Sequence, residues 1–156
     1  MFNDISDQLS LIGEFMKSIS DLPASTPANT VNPLVPLFQQ LWPFIERILT
    51  EFSRVDDIVE SSCRLVKHAQ RAMGTEFAVY LQPFITQALT GYQLNPIGSY
   101  VYGVEFCFTD FGKMPQYKQM FVQAFDFICK QTNLVLHSKE ECAKNPDLVN
   151  DFFGIA

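Results

Sequence analysis

A nine-residue segment with a proline inside it occurs twice in this chain, forty residues apart. The first copy, LWPFIERIL, covers residues 41–49, and the second, LQPFITQAL, covers residues 81–89. In each copy the apolar residues recur at helical spacing, although Pro43 or Pro83 removes a backbone hydrogen bond and costs roughly 3 kcal/mol in an exposed helix. Only a strongly packed helix can absorb that cost. The repeat therefore predicts similar helical units stacked side by side, and a kink repeated in register would curve the stack.

Amphipathic stripes predict helices along nearly the whole chain. We expect these helices at about 4–19, 33–53, 56–74, 76–92, 96–112, 115–143 and 146–156. Residues 20–33 are rich in Pro, Ser, Thr and Asn, which predicts a flexible or extended loop between the first two helices.

Local signals mark both ends of the predicted helix at 56–74. It begins at Asp56 or Asp57, and Glu60 follows Asp57 by three residues, which is the spacing of a capping box. Gly74 can end the helix because glycine adopts a left-handed conformation without steric cost.

Similar signals occur in the second half of the chain. Asn95 and Pro96 have the residue types of an N-cap and a first helical position. The apolar pattern of 115–143 has no convincing break, so we expect one long helix there. The alternative is a new segment starting at Ser138, because Glu141 follows it at capping-box spacing.

The spacing of the helices predicts the architecture. Alternate helices begin near residues 4, 56, 96 and 146, so the units are about 40 to 52 residues long, close to the ~40 to 47 residues of HEAT and armadillo helix pairs. We predict an all-α fold, an α-solenoid of HEAT-like antiparallel helix pairs forming one domain. The predicted boundaries are a domain at 1–156, pairs at about 4–53, 55–92 and 96–143, and a truncated helix at 146–156. A compact six-helix bundle is the alternative, since the related segment FVQAFDFIC lacks the proline.

Charge and composition exclude several classes of function. Seventeen acidic residues against eleven basic ones give a formal charge of −6, which argues against direct binding to nucleic-acid phosphates or to an anionic membrane surface. A hydrophobic content of 47% with 15 Phe supplies ample core. No apolar run reaches the roughly 20 residues of a membrane span and no signal peptide opens the chain, so we expect a soluble intracellular protein.

No motif predicts catalysis or a resident cofactor. The chain contains neither GxGxxG nor GxxxxGK[ST], the loops that bind nucleotide phosphates. The cysteines and histidines show no CxxC pair and no metal-ligand spacing: Cys63, Cys107, Cys129, Cys142, His68 and His137. We expect free buried thiols, no catalytic residue, no metal and no cofactor.

Three cations form the one polar feature with a candidate role. Arg64, Lys67 and Arg71 are spaced by three and four residues, which puts them with Glu60 on one face of a helix. The same spacing puts the residues that we expect to be buried on the other face: Ile58, Val59, Ser62, Cys63, Val66, Ala69 and Met73. A solvated face is the ordinary interpretation. The alternative is a docking surface for an acidic or phosphorylated peptide, because guanidinium groups suit phosphate oxygens.

Five stretches, in this order, are similar to a central part of the importin-β (karyopherin) nuclear transport receptors, and in particular to the transportin-SR and importin-13-like branch. The stretches are NPLVPLFQQLWPFIERIL (32–49), VDDIVESSCRLVKHAQRAMG (55–74), YLQPFITQALTGYQ (80–93), SYVYGVEFCFTDFG (99–112) and NPDLVNDFF (145–153). The similarity covers nearly everything from Asn32 onward, and the first helix fits only as a generic repeat helix.

The resemblance implies a receptor several times longer, made of about twenty HEAT repeats and shuttling between nucleus and cytoplasm. It implies import of protein cargo, such as SR-type splicing factors or other RNA-binding proteins, through nuclear pores and their nucleoporins, with release on binding Ran·GTP. Arg64, Lys67 and Arg71 match a basic stripe of the transportin-SR branch, although the first helix of a pair is expected on the convex side. An α-solenoid scaffold or adaptor unrelated to nuclear transport is the alternative.

Overall fold

A computed structural model describes residues 2–20 and 32–155, which fold into helices joined by short connections. The helices are α1 (Phe2–Ser20), α2 (Leu34–Glu51), α3 (Asp56–Met73), α4 (Ala78–Leu94), α5 (Gly98–Phe111), α6 (Lys118–Val135), α7 (Lys139–Lys144) and α8 (Pro146–Ile155). Single 3₁₀ turns precede α4 at Gly74–Phe77 and α6 at Pro115–Tyr117. The described residues contain no strand, so the all-α prediction is confirmed. Most of the predicted loop at 20–33 lies outside the described residues.

Contacts between the helices follow the order of a repeat stack. In one layer α1 packs on α3, α3 on α5, and α5 on α8. In a second layer α2 packs on α4 and α4 on α6, while α2 also touches α3 and α4 touches α5. Helices that pack both on the next helix and on the helix two positions along the chain, in two layers, are typical of a solenoid and not of a bundle with one shared axis. The predicted helical-repeat fold is confirmed, whereas the boundaries of the pairs stay a prediction.

Aromatic side chains fill the space between α2 and α4. The ring of Tyr80 lies 4.9 Å from that of Phe38 and 5.5 Å from that of Trp42, measured between centroids. Trp42 is also 6.5 Å from Phe84, which continues the cluster along α4. Aromatic pairs of this kind add about 0.5–1.5 kcal/mol each beyond the area that they bury. The packing of this cluster helps to offset the free-energy cost of the proline inside each helix.

The two proline-containing copies occupy equivalent places in α2 and α4 but not equivalent surroundings. Each helix continues through its proline, Pro43 or Pro83. Phe84 is fully buried, whereas its counterpart Phe44 is 65% exposed. The difference follows from the positions of the two helices in the layer. Helix α4 lies between α2 and α6, whereas α2 has a neighbour on one side only among the described helices of its layer.

The predicted capping box of α3 is wrong. The N-cap is Val55, which has an extended backbone and no side-chain cap, so Asp56 and Asp57 occupy the first turn instead. There their carboxylates face the positive end of the helix dipole without capping it. The other end of α3 agrees with prediction, because Gly74 ends the helix with a φ of +58°.

The predicted start of α5 at Asn95 and Pro96 is also wrong. Ile97 is the N-cap and the helix begins at Gly98. The side chain of Asn95 is used elsewhere: its Nδ2 donates to Oδ1 of Asp56 at 3.2 Å, which joins the chain before α5 to the start of α3. A contact between residues so far apart in sequence overrides the local capping signal.

The continuous helix predicted for 115–143 is wrong, and the alternative break is confirmed. Helix α6 ends at Val135, and Ser138 caps α7. The Oγ of Ser138 accepts a hydrogen bond from the backbone N–H of Glu141 at 3.2 Å. A 3₁₀ turn at Pro115–Tyr117 also delays the start of α6 to Lys118.

Candidate functional site

The three cations predicted as a docking surface lie on the exposed side of α3, and we call them the cation strip. Arg64 and Arg71 are exposed and Lys67 is half-buried. The opposite side is buried as predicted: Ile58, Val59, Ser62, Cys63, Val66, Ala69 and Met73. Ser61, Leu65 and Gln70 are buried as well, because α3 contacts α1, α2 and α5. Only a narrow polar strip of α3 therefore reaches solvent.

The three cations of the strip differ in the hydrogen bonds and ion pairs that they form with the rest of the protein. A guanidinium nitrogen of Arg64 pairs with Oε1 of Glu60 one turn earlier, at 2.5 Å. Both side chains are largely exposed, so this pair contributes little stability, about 0.3–0.5 kcal/mol. Lys67 donates a hydrogen bond to the hydroxyl of Tyr102 on α5. Arg71 makes no hydrogen bond or ion pair with a residue in 2–20 or 32–155, so it is the strip's most available cation.

Two grooves meet at Tyr102, which lines both of them. The smaller, about 160 Å³, lies between α3 and α5 and includes Lys67 and Arg71 on one wall. The larger, about 870 Å³, lies among α1, α3, α5 and α8 and includes Arg64 and His68. The cation strip is thus divided between two adjoining depressions along the α3–α5 contact.

Carboxylates outnumber cations in the larger groove. The carboxylates are Glu14, Asp56, Asp57, Glu60, Asp147 and Asp151, and the cations are Lys17, Arg64 and Lys144. Burial raises the pKa of Asp151 and lowers the pKa of His68, so for both groups it favours the neutral form. The surroundings of Arg64 are therefore acidic, whereas the smaller groove is lined by two cations, Lys67 and Arg71, and two carboxylates, Glu105 and Asp110.

A buried amide fixes α3 against α5 beside the smaller groove. Gln70, which is 1% exposed, donates from Nε2 to the backbone oxygen of Phe106 at 3.2 Å and to Oδ2 of Asp110 at 2.6 Å. Its Oε1 accepts from the thiol of Cys107 at 3.3 Å. Since a buried amide left unpaired costs about 1–3 kcal/mol, this network holds the two helices in one register. The floor of the smaller groove is thereby preorganised.

The residues that the structure describes form neither a metal site nor a membrane-spanning helix. Within 2–20 and 32–155 no group of three or more His, Cys, Asp and Glu side chains could hold a metal ion. All four thiols are free, but only Cys63 and Cys107 are buried, because Cys129 and Cys142 lie on partly open faces. None of the described helices has the length and apolar character needed to cross a bilayer.

Sequence reasoning missed Tyr102, which joins the cation strip to α5. Its neighbours Tyr100 and Val101 follow the apolar pattern and are buried, whereas Tyr102 falls beside that pattern and is half-buried. An aromatic residue displaced from an apolar stripe is a weak signal of contact with a polar group. Nothing in the local sequence indicates that the polar group is Lys67, thirty-five residues earlier.

A stack of helix pairs in two layers, with a polar groove on one of them, defines a helical-repeat protein. Residues 32–136, about two thirds of the chain and the segment from α2 to α6, match the model of the transportin-3/importin-13 fourth TPR domain. An uncharacterized protein of Schizosaccharomyces pombe is 30% identical over 154 residues, which is 97% of this chain and 16% of that protein.

The chain belongs to the transportin-3/importin-13 family, a family of transport receptors. It spans about one sixth of the length of the Schizosaccharomyces pombe protein. The family resemblance predicted from the sequence is therefore confirmed. The matching domain is described as TPR and the repeats were predicted as HEAT-like; both consist of antiparallel helix pairs.

Proposed function

We propose that this chain is a helical-repeat segment of a nuclear import receptor and that it contributes to the binding of protein cargo. The observation that carries the proposal is the family match over 32–136, which covers five consecutive helices of the stack. Stacked helix pairs provide extended surfaces that bind other proteins without any cofactor. The family match favours this function over an α-solenoid scaffold unrelated to transport.

The complete receptor supplies the remaining steps of transport. Its cargo is SR-type splicing factors or other RNA-binding proteins, and it binds nucleoporins and Ran·GTP and shuttles between nucleus and cytoplasm. The yeast relative, of which this chain covers 16%, is about six times longer, so there is ample chain outside this segment for these contacts. The segment itself contacts protein and neither nucleic acid nor membrane, consistent with its charge of −6.

The cation strip is the surface that we assign to cargo. Phosphoserine carries nearly two negative charges and three strong acceptor oxygens, which guanidinium and ammonium groups bind through charge-assisted hydrogen bonds. Arg71 is exposed and has no ion-pair partner among the described residues, so it can accept such a ligand without first giving up another contact. Arg64 must exchange Glu60 for the ligand, and Lys67 is held beside Arg71 by Tyr102.

The test uses the complete receptor and a peptide of alternating arginine and serine, with and without phosphate on the serines. Arg71→Glu should weaken capture of the phosphorylated peptide by about tenfold or more, because an attraction becomes a repulsion. The matched control is Arg54→Glu, a charge reversal at another exposed arginine outside the strip. Equal loss in both variants, or no loss in either, would contradict the assignment of the strip.

The transport part of the proposal has a separate test. Adding Ran loaded with GTP should release bound cargo from the complete receptor, whereas Ran loaded with GDP should not. Cargo that stays bound in both conditions would argue for a scaffold, even if Arg71 is needed for binding.

A further inference from the structure

The ammonium group of Lys67 contacts the side chain of Tyr102 on α5 in two ways. Its Nζ donates a hydrogen bond to the hydroxyl of Tyr102 and lies 4.7 Å from the centroid of the same ring. Cations near an aromatic ring are attracted by its quadrupole, and the hydroxyl oxygen adds a directional acceptor. The ammonium group of Lys67 is therefore held at one position, although lysine is a flexible side chain.

The ammonium group of Lys67 is held at the mouth of the smaller groove. Lys67 and Arg71 form the α3 wall, and Tyr102 belongs to the α5 wall together with Glu105 and Asp110. Oδ2 of Asp110 accepts a hydrogen bond from Gln70, and among the described residues neither carboxylate forms an ion pair with Lys67 or Arg71. Beneath them Gln70 fixes the register of the two helices through Phe106 and Asp110. The groove and the ammonium group are thus both set before any ligand arrives.

We propose that Tyr102 is a positioning residue of the cargo site, fixing the ammonium group of Lys67 beside Arg71 so that the two bind one anionic group of a peptide across the α3–α5 groove. The inference rests on the proposed function of the cation strip and extends the site to a second helix. Its ligand is a phosphoserine side chain carried by an extended peptide.

The physical reason is the entropy of the lysine side chain. Ordering a free lysine on binding costs conformational entropy, and a side chain already held by the protein avoids most of that cost. Lysine has three donors and Tyr102 occupies one of them, which leaves two for the ligand. Tyr102 therefore lowers the cost of binding without taking the place of the ligand.

The first experiment needs no ligand and uses the 156-residue chain. Tyr102→Phe removes the hydroxyl and keeps the ring, so the ammonium group of Lys67 should become more accessible. We expect its rate of reductive methylation, followed by mass spectrometry, to rise several-fold. Tyr117→Phe is the control, because Tyr117 is also half-buried and its ring packs on Phe111, away from Lys67.

The second experiment measures the affinity for a synthetic phosphoserine peptide in a double-mutant cycle. Tyr102→Phe should weaken binding about three- to tenfold, the range of one typical hydrogen bond. Lys67→Ala should weaken binding as well, and the double variant should bind no more weakly than Lys67→Ala alone, since the tyrosine acts only through the lysine. Urea unfolding of each variant verifies that the fold is retained.

The outcomes separate this inference from the function on which it rests. Binding that depends on Lys67 and Arg71 but is unchanged by Tyr102→Phe would overturn the role of Tyr102 alone. Additive losses in the double variant would do the same, because they would mean that Tyr102 acts independently of Lys67. If the unsubstituted chain does not bind the phosphopeptide, both the strip as a binding surface and the role of Tyr102 are overturned.

Discussion

The ring of Tyr100 on α5 lies directly against the backbone of Gly91 on α4. A Cβ atom at residue 91 would come within 2.3 Å of Cζ of Tyr100, which is closer than any real contact. Tyr100 is 1% exposed, and its hydroxyl donates to the backbone oxygen of Ser53 at 3.1 Å. The hydroxyl end of the ring is therefore fixed beside Gly91, and only glycine at position 91 lets the two layers approach this closely.

Replacing that glycine should destabilise the fold. Gly91→Ala forces a methyl group into the ring of Tyr100, and overpacking of this kind costs about 1–3 kcal/mol. Gly13→Ala is the matched control: its Cβ would lie 3.5 Å from the nearest atom, Cα of Leu65, so it should gain about 0.5–1 kcal/mol of helix propensity. Urea unfolding measures both changes. Equal stability of the two variants would contradict the close approach.

The repeated proline segment offers a second matched pair. Phe84→Ala removes a fully buried ring that stacks on Phe106 at 5.6 Å, and should cost about 3–5 kcal/mol. Phe44→Ala changes the counterpart in the first copy, which is 65% exposed, and should change the free energy of unfolding by about 0.5 kcal/mol or less. Thermal unfolding of the two variants measures both changes in stability. Similar losses would mean that the copies are buried alike.

The difference between the two copies shows which features of the fold the sequence could predict and which it could not. Helical spacing correctly placed the buried side of α3, because that side is set by the residues of one helix. It could not separate Phe44 from Phe84, since their burial depends on which helices lie beside them. It also failed at Asn95, whose side chain bonds to Asp56 instead of capping α5. Local signals are reliable until a contact with a distant residue fixes the side chain in a different orientation.

The candidate site shows the same limit. Spacing alone put Arg64, Lys67 and Arg71 on one face, and the structure agrees. The differences between their contacts were not predictable. Glu60, the partner of Arg64, lies one turn away on the same helix, whereas Tyr102, the partner of Lys67, lies on another helix. The sequence therefore indicates where cations gather, whereas the structure shows which of them is held and which is available.

The buried thiols should be unreactive in the folded chain. Burial raises the pKa of Cys63 from its ordinary value of 9.0 to about 12, and it also raises the pKa of Cys107. Because the thiolate is the reactive form, iodoacetamide at pH 8 should leave both unmodified until the chain unfolds. Mass spectrometry of digested protein locates the label. Cys142, which is half-exposed, serves as the internal reactive control.

The same shift gives a sign for the pH dependence of stability. The thiol of Cys63 is protonated in the folded state at pH values where the unfolded chain has already lost the proton. Its contribution is fully present below about pH 9 and is lost as the pH rises from there toward 12. Cys63→Ala should therefore flatten the alkaline fall in the unfolding midpoint. Modification of Cys63 at pH 9 faster than global unfolding would contradict its burial.

Exposed apolar side chains on α1 predict self-association of the isolated 156-residue chain. Leu11 and Phe15 are 65% and 53% exposed and lie one turn apart, so they form a continuous apolar surface. The weight-average mass in sedimentation equilibrium should rise with concentration, and the variant with Leu11→Ser and Phe15→Ser should show a smaller rise. Val79→Ser is the control, because Val79 is 72% exposed but lies on α4. A chain that stays monomeric over the micromolar range, or an equal effect of Val79→Ser, would contradict association through α1.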